Sequence, residues 1–421
     1  MMPPTIDALP EKCLIAVLRS LPLKEVLQVA SVCRLWNEAV KKVCHERVSL
    51  NIRGRSILNV DSKESARHHL ILSDFLAFFG VDHYDLFEPY LLSSLFGVNE
   101  DRIKTSSFLV RKFPNIRRFS YYGGGIVFKD LMNLLTHWKH LSHLTLIIPT
   151  AFNWPLAWKY INTLRSLTHL SLIADGFVFL PRVMPRLVQF NYATVDGVSK
   201  AWLIGSLNPQ QIQQIGIGCF EQQTFDLNRN QRVIRRLILA NMWLSKCVTR
   251  FSNHLSSVNM SFLNFICNHF TSLQFLNISF SDSVTFNELF EKLCKLTELQ
   301  HLRIGSLRQN ARVEEMRLVE NDPFRLITKE NVQSIPKLTS VRVLHIYDFE
   351  IDNAKLSLLE CMFPAVESIL IQDQANFCSH QHPYRRMVCE VCPKEVFKTL
   401  SQIKSVRTVR VVSNGQIIFE K

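Results

Sequence analysis

Glycine is scarce in this 421-residue chain, with 13 copies, and its only cluster is Tyr121-Tyr122-Gly123-Gly124-Gly125. That cluster has neither the G-x-G-x-x-G nor the G-x-x-x-x-G-K frame, so a phosphate-cradling loop is excluded and a strand-to-helix turn is expected. G-x-S-x-G, H-E-x-x-H and paired-carboxylate motifs are absent as well, and the 14 histidines are dispersed, so no enzyme is expected. No apolar run approaches the roughly 20 residues of a membrane span. The opening MMPPTIDALPEK lacks the basic region and apolar core of a signal peptide. The 11 cysteines are odd in number and lie mostly within apolar runs such as Ile266-Cys267 and Leu293-Cys294, which fits buried thiols in a reducing compartment. A soluble intracellular chain of cytoplasm or nucleus follows as the expectation. Negative charge is also short: 36 carboxylates against 49 Lys and Arg give +13 at pH 7, which favours an acidic partner.

What is present is 47% hydrophobic and only 20% charged, the balance of a folded chain. Its first 45 residues read as three short helices. Leu14, Ile15, Val17, Leu18 and Leu21 follow a helical period, and Pro22 ends that helix. Leu23, Val26, Leu27 and Ala30 begin a second helix; Val32, Leu35, Trp36, Ala39 and Val43 continue a third. So small a unit cannot bury all these groups within itself, so the surplus around Trp36 points to a partner helix or to the rest of the chain. The block resembles the F-box, which docks substrate receptors onto a Skp-family adaptor in cullin–RING ubiquitin ligases. The family frame is carried by Leu9-Pro10, the paired aliphatics Leu14, Ile15, Val17 and Leu18, then Leu21-Pro22-Leu23, and Val32-Cys33 with Trp36 three residues later. Cys13 stands where a Leu is usual and Leu18 where a Phe is frequent. Both stay apolar and should alter packing by about 1–2 kcal/mol. The resemblance implies adaptor contacts from Leu9, Pro10, Leu14, Ile15, Val17, Leu18, Leu21, Pro22, Leu27, Val32, Cys33 and Trp36.

The rest is a repeat. Apolar-x-x-apolar-x-apolar recurs at twelve places, beginning at Ile116, Leu141, Leu167, Leu187, Ile212, Ile234, Leu255, Leu273, Leu299, Val341, Val366 and Val406. These starts lie 18–26 residues apart except at two places. The spacing resembles the leucine-rich repeat, in which a short parallel strand alternates with a helix or turn. The family's asparagine ladder is missing, since only Asn414 falls at its position, so an irregular array is expected. Residues 286–293 read as an amphipathic helix between rungs. The fold class is thus α/β: a three-helix F-box over 1–46, a linker and atypical capping repeat over 47–110, and a leucine-rich-repeat solenoid (horseshoe) with a parallel concave sheet over 111–421. Arg47–Ile52 alternates like a strand and can serve as the first rung. Insertions fall near 307–324 and 375–394, the first helical over 312–320.

The second insertion holds Cys378, His380, His382, Cys389 and Cys392. Cys389 and Cys392 have zinc-knuckle spacing. The Cys-x-His-x-His half is not a common structural spacing, and Pro383 and Pro393 shape the loop without metal. A metal-free loop is therefore expected, with no cofactor. Strand alternation places another set of residues on the concave face. There the basic side chains are Arg118, Arg236, Arg303 and Arg410 with His143, His169, His301 and His345, joined by Asn259, Asn277, Phe275 and Tyr347. No Asp or Glu occupies an equivalent position in the twelve copies. An acidic or phosphorylated protein segment suits such a face.

Together the resemblances imply a substrate-recognition subunit of an SCF-type ubiquitin ligase, the F-box holding a Skp-family adaptor and the repeats a protein marked for proteasomal degradation. The alternatives are a ligase-independent F-box scaffold and a basic nucleic-acid-binding solenoid. The latter is disfavoured because aromatic–basic interleaving is sparse on the face.

Overall fold

The computed structural model describes residues 9–21, 23–53, 102–122, 128–148, 154–174, 186–194, 212–219, 246–280, 286–306, 332–347, 356–373, 391–413 and 416–420. They belong to two compact units: residues 1–59, 81–192 and 202–213 form the first, and 60–80, 193–201 and 214–421 the second.

The first unit opens with helices α1 (Glu11–Ser20), α2 (Leu23–Val29) and α3 (Arg34–Glu46). Pro10 precedes α1, where its missing N–H is no loss, and its carbonyl accepts from the amides of Cys13 and Leu14 at 2.9 and 3.1 Å. Leu14 and Leu18, one turn apart, are buried, as are Leu23 and Val26 of α2 and Ala39, Val40 and Cys44 of α3. Arg19–Glu46 at 2.5 Å and Lys42–Glu11 at 2.6 Å bridge α1 to α3. All four side chains are exposed, so the bridges add little to stability.

Two residues after α3 the chain enters β1 (Ser49–Arg53). There follow α4 (Arg102–Lys112), β2 (Arg118–Tyr122), α5 (Phe128–His137), β3 (His143–Ile148), α6 (Trp154–Ile161), β4 (His169–Ala174) and β5 (Gln189–Thr194). The strands run in the order β1-β2-β3-β4-β5. β1 to β4 pair parallel and in register, so Leu50, Phe119, Leu144 and Leu170 form one buried row and Ile52, Tyr121, Leu146 and Leu172 the next. The Val48 carbonyl accepts from the amides of Arg117 and Arg118 at 2.8 and 2.9 Å, and Asn115 Nδ2 donates to the His45 carbonyl at 2.8 Å. The expected first rung is therefore real, and it ties the helical head to the sheet. Trp138 closes the interior: its indole N–H donates to the Phe113 carbonyl at 2.8 Å and its ring lies 5.1 Å from that of Phe119.

The second unit contains β6 (Gln214–Cys219), β7 (Val248–Ser257), α7 (Met260–His269), β8 (Phe275–Phe280), α8 (Phe286–Leu293), β9 (His301–Ser306), β10 (Val343–Tyr347), α9 (Leu359–Met362), β11 (Ser368–Asp373), α10 (Val391–Ser401), β12 (Thr408–Ser413) and β13 (Gln416–Glu420). Strands β6 to β12 are parallel neighbours in sequence order, and β13 returns antiparallel on β12. Helix α8 covers the residues expected of it.

Ten of the twelve expected copies coincide with strands and one does not. The copy beginning at Ile234 lies outside the described residues. The copy beginning at Leu255 is a correction: the rung is β7, in which Phe251 pairs with Leu276, and Met260 already belongs to α7. Asn259 explains the difference, because its side chain accepts the Phe262 amide at 2.8 Å and starts the helix. Phe262, Leu263, Ile266 and Cys267 then bury at helical spacing. No helix among the described residues is long and apolar enough to cross a membrane.

Trp138→Ala should destabilise the chain by about 3–5 kcal/mol in denaturant unfolding, since it leaves both a cavity and an unpaired Phe113 carbonyl. Trp138→Phe should lose a smaller part of that.

Candidate functional site

The expected adaptor-binding residues divide into two groups. Leu14 and Leu18 are buried among the three helices and hold the head together. Leu9 at 40%, Val17 at 47% and Val32 at 62% exposure face water, as does Leu35 at 37%. Pro10 is exposed too, while Ile15, Leu21, Leu27, Cys33 and Trp36 are half-buried. Pro22 lies outside the described residues. Among the described residues six large apolar side chains are exposed, and four of them fall in this stretch of 27 residues from Leu9 to Leu35. A segment that buries one apolar set and leaves a second in water is built to be covered.

On the first unit's sheet the core rows alternate with a polar face. Register aligns Ser49, Arg118, His143 and His169 in one row, with Asn51, Ser120, Thr145 and Ser171 in the row beside it. Arg118 is exposed, and the two histidines are half-buried. Their rings stack at 4.0 Å between centroids and 8° between planes. Each is held from behind: His143 Nδ1 lies 2.8 Å from Ser142 Oγ, and His169 Nδ1 lies 2.8 Å from Thr168 Oγ1. Both hydroxyls already donate elsewhere, Ser142 to the Arg117 carbonyl at 3.1 Å and Thr168 to the Ser142 carbonyl at 3.0 Å. With the hydroxyls turned to those carbonyls the imidazoles donate from Nδ1, and in that tautomer each neutral ring presents Nε2 as an acceptor. Burial, the neighbouring His169 and the Arg118 guanidinium push His143 down to about 4. Burial and Arg118 lower His169 as well. Both shifts favour the neutral rings over the cations at pH 7.

The second unit departs from the expectation of an open basic face. Phe275, Asn277, Arg303, His345 and Tyr347 are all buried, at 4% exposure or less. They form a polar interior. Tyr347 reaches from β10 across Gly305 of β9 to β8, where its hydroxyl lies 2.8 Å from Ser279 Oγ and 3.1 Å from both Asn277 Oδ1 and the Ile278 carbonyl. Asn277 Nδ2 in turn donates to Ser252 Oγ at 3.0 Å. A Cβ on Gly305 would stand 1.9 Å from the Tyr347 ring, so only glycine admits this crossing. Arg303 lies 6.0 Å from the centre of that ring, and burial lowers its pKa to about 10, which still leaves it charged at neutral pH. His345 meets the edge of Tyr347 with 5.5 Å between centroids.

Other expected members of the face lie elsewhere. Asn259 is the α7 cap and leaves the face. Arg410 remains on it but pairs with Glu420 at 2.6 Å, a carboxylate that β13 contributes from outside the repeat. His301 is half-buried with its ring 6.3 Å from Phe275. Arg250, missed because its rung was misplaced by the Leu255 copy, lies 4.8 Å over the Phe275 ring. The Asn259 cap followed by Phe262, Leu263 and Ile266 was the signal that could have found it. Arg236, Cys378, His380, His382 and Cys389 fall outside the described residues, and Cys392 lies in α10. Cys44 and Cys267 are buried thiols, the latter pushed up to about 12 by burial, and serve packing.

Gly305→Ala should expel the Tyr347 ring from its hydrogen bonds and cost roughly 2–4 kcal/mol in denaturant unfolding. The histidine pair sets a second expectation. Protonation of His143 is easier in the unfolded chain, near 6.5, than in the folded one, so stability falls as pH drops from about 6.5 towards about 4. His143→Gln should lose less stability between pH 7 and pH 5 than the parent, measured by urea midpoints at the two pH values.

Solved structures similar to this chain include a chain of the yeast Rad7–Elc1 complex, at 14% identity, covering 73% of this chain and 90% of that one with a TM-score of 0.37. A Bacteroides fragilis protein matches at 12% identity, with coverages of 76% and 85% and a TM-score of 0.32. A chain of the TLR13–ssRNA13 complex matches at 12% identity, with coverages of 72% and 50% and a TM-score of 0.33. No curated protein sequence matches the chain. Residues 6–47 match the F-box domain family, so the three-helix head of this chain is an F-box domain.

Proposed function

We propose that this chain is an F-box-type substrate adaptor of a ubiquitin ligase. In this reading the F-box holds a Skp-family adaptor and through it an SCF-type cullin–RING core. The repeats hold a protein substrate, acidic or phosphorylated, for ubiquitination and proteasomal degradation, in the cytoplasm or nucleus. The contribution of the chain is positional: it raises the local concentration of substrate lysines at the ubiquitin-carrying enzyme and supplies no catalytic group.

The observation that carries the reading is the pair of apolar sets in the F-box domain. Leu14 and Leu18 fill its interior, while Leu9, Val17, Val32 and Leu35 remain in water. Covering each exposed side chain contributes about 1–2 kcal/mol, so an adaptor helix laid over them gains what the free head forgoes.

Val17→Glu combined with Val32→Glu should abolish co-purification of a Skp-family adaptor, with affinity weakened at least about 100-fold by charges buried without partners. The helical circular dichroism and melting temperature should stay those of the parent. Leu14→Ala provides the contrast, since it should lower the melting temperature first. Undiminished adaptor capture by the double variant would overturn the reading.

A further inference from the structure

Resting on the reading of the chain as a substrate adaptor, we propose that Arg118, His143 and His169 form a receptor for one acidic oxyanion, phosphoryl or carboxylate, borne on a bound protein segment and taken up together with a proton. The three side chains sit on adjacent strands at register-paired positions, Arg118 opposite His143 and His143 opposite His169. The serine and threonine hydroxyls behind the rings engage both Nδ1 atoms, so the two Nε2 atoms are the groups left for a ligand. Arg118 is exposed and forms no ion pair among the described residues.

The chemistry of the ligand follows from these three groups. A guanidinium requires an acceptor, and an oxyanion supplies two. With the Nδ1 hydrogen turned to the hydroxyl behind the ring, a neutral Nε2 requires a donor, and an oxyanion has none unless a proton comes with it. That proton either rides on the ligand as P–OH or resides on the imidazole as Nε2–H, and both give the same hydrogen bond with the same balance of charge. The charged and titratable residues that register places on this face are Arg53 on β1, Arg118 and Tyr122 on β2 and His169 on β4; β3 has none besides His143, and β5 contributes none. Among the described residues no Asp or Glu shares the face to compete with an arriving anion. A transition metal fits less well. Rings stacked within 8° and anchored through equivalent atoms aim their lone pairs side by side, not at one ion.

The test uses the full chain co-purified with a Skp-family adaptor and four probes: a seven-residue peptide with a central phosphoserine, its aspartate and serine counterparts, and inorganic phosphate. Calorimetry between pH 5.5 and 7.5, in buffers of different ionisation heat, reads affinity and proton uptake together. The phosphoserine and aspartate peptides should bind and the serine peptide should not, with Kd tightening up to about tenfold per pH unit for one proton taken up. Arg118→Gln should weaken binding by about tenfold or more. The double variant His143→Gln, His169→Gln should bind without proton uptake. Equal binding of the serine peptide, zero proton uptake by the parent, or an unchanged Kd in Arg118→Gln would overturn the proposal. Inorganic phosphate binding as tightly as the peptides would overturn its assignment to a protein segment. Loss of the adaptor from the parent preparation counts against the adaptor reading alone, whereas silent peptides with the adaptor retained count against this site alone.

Discussion

Parallel strands hydrogen-bonded in register stand about 4.8 Å apart, so the nearest neighbour of any side chain is its equivalent on the next strand. That spacing governs what each unit of this chain can do. It stacks Leu50, Phe119, Leu144 and Leu170 into one hydrophobic row, because a single apolar residue per strand becomes a continuous core once the register is kept. It also brings like polar residues together without regard to whether they attract. His143 and His169 lie ring on ring for this reason, and the cost of two adjacent imidazolium ions is avoided by neutrality. Where the head meets the sheet, the same ladder extends one strand further. Val48 accepts the amides of Arg117 and Arg118, so the helices of the F-box domain and the first rung form one piece.

The ladder gives different results in the two units because the residues at its polar positions differ in reach. In the first, the row beside the histidines is made of Asn51, Ser120, Thr145 and Ser171, side chains too short to cross a neighbouring strand. Arg118 and the imidazoles consequently keep contact with solvent. In the second, Tyr347 is long enough to cross two strands, and Gly305 lets it pass. The phenol then ends on Ser279 and Asn277, and a face that alternation alone would assign to solvent becomes a buried polar interior. A buried cation such as Arg303 is tolerable only in such surroundings, since an apolar pocket would impose the full desolvation cost. The half-buried Arg250 and His301 both lie against the Phe275 ring, at 4.8 and 6.3 Å from its centre.

Much of this was legible in the sequence. A two-residue period with fixed apolar spacing identifies strands because sheet burial demands it, and ten of the copies read that way are strands. Residues 286–293 were legible as a helix by the same logic at a period of 3.6. The failure at Leu255 has a local cause. Leu255, Val258 and Met260 fit the repeat, but Asn259 is a strong helix cap, and the capped helix with four buried side chains outweighs one weak rung. Accessibility was less legible than secondary structure. Spacing separates the faces of a strand but does not report a tyrosine lying over one of them, nor a carboxylate such as Glu420 delivered by a strand outside the repeat. In the F-box the motif named both the residues that build the head and those that face outward. Only burial tells Leu18 from Val17, its neighbour one position away on the same helix.

The charge of the chain has to be reinterpreted in that light. A sum of +13 invites the picture of a positive surface that gathers acidic partners by field alone. At the polar face of the first unit that picture fails, since two of the three basic residues at its centre carry no charge at pH 7. In the row of the histidines the permanent charge is that of Arg118, screened beyond a Debye length of about 8 Å at physiological salt. What the histidines add acts at contact: two stacked rings whose Nδ1 atoms meet the hydroxyls of Ser142 and Thr168. If the site takes acidic segments as proposed, it discriminates among them by how they seat on these rings, a selectivity that net charge cannot provide.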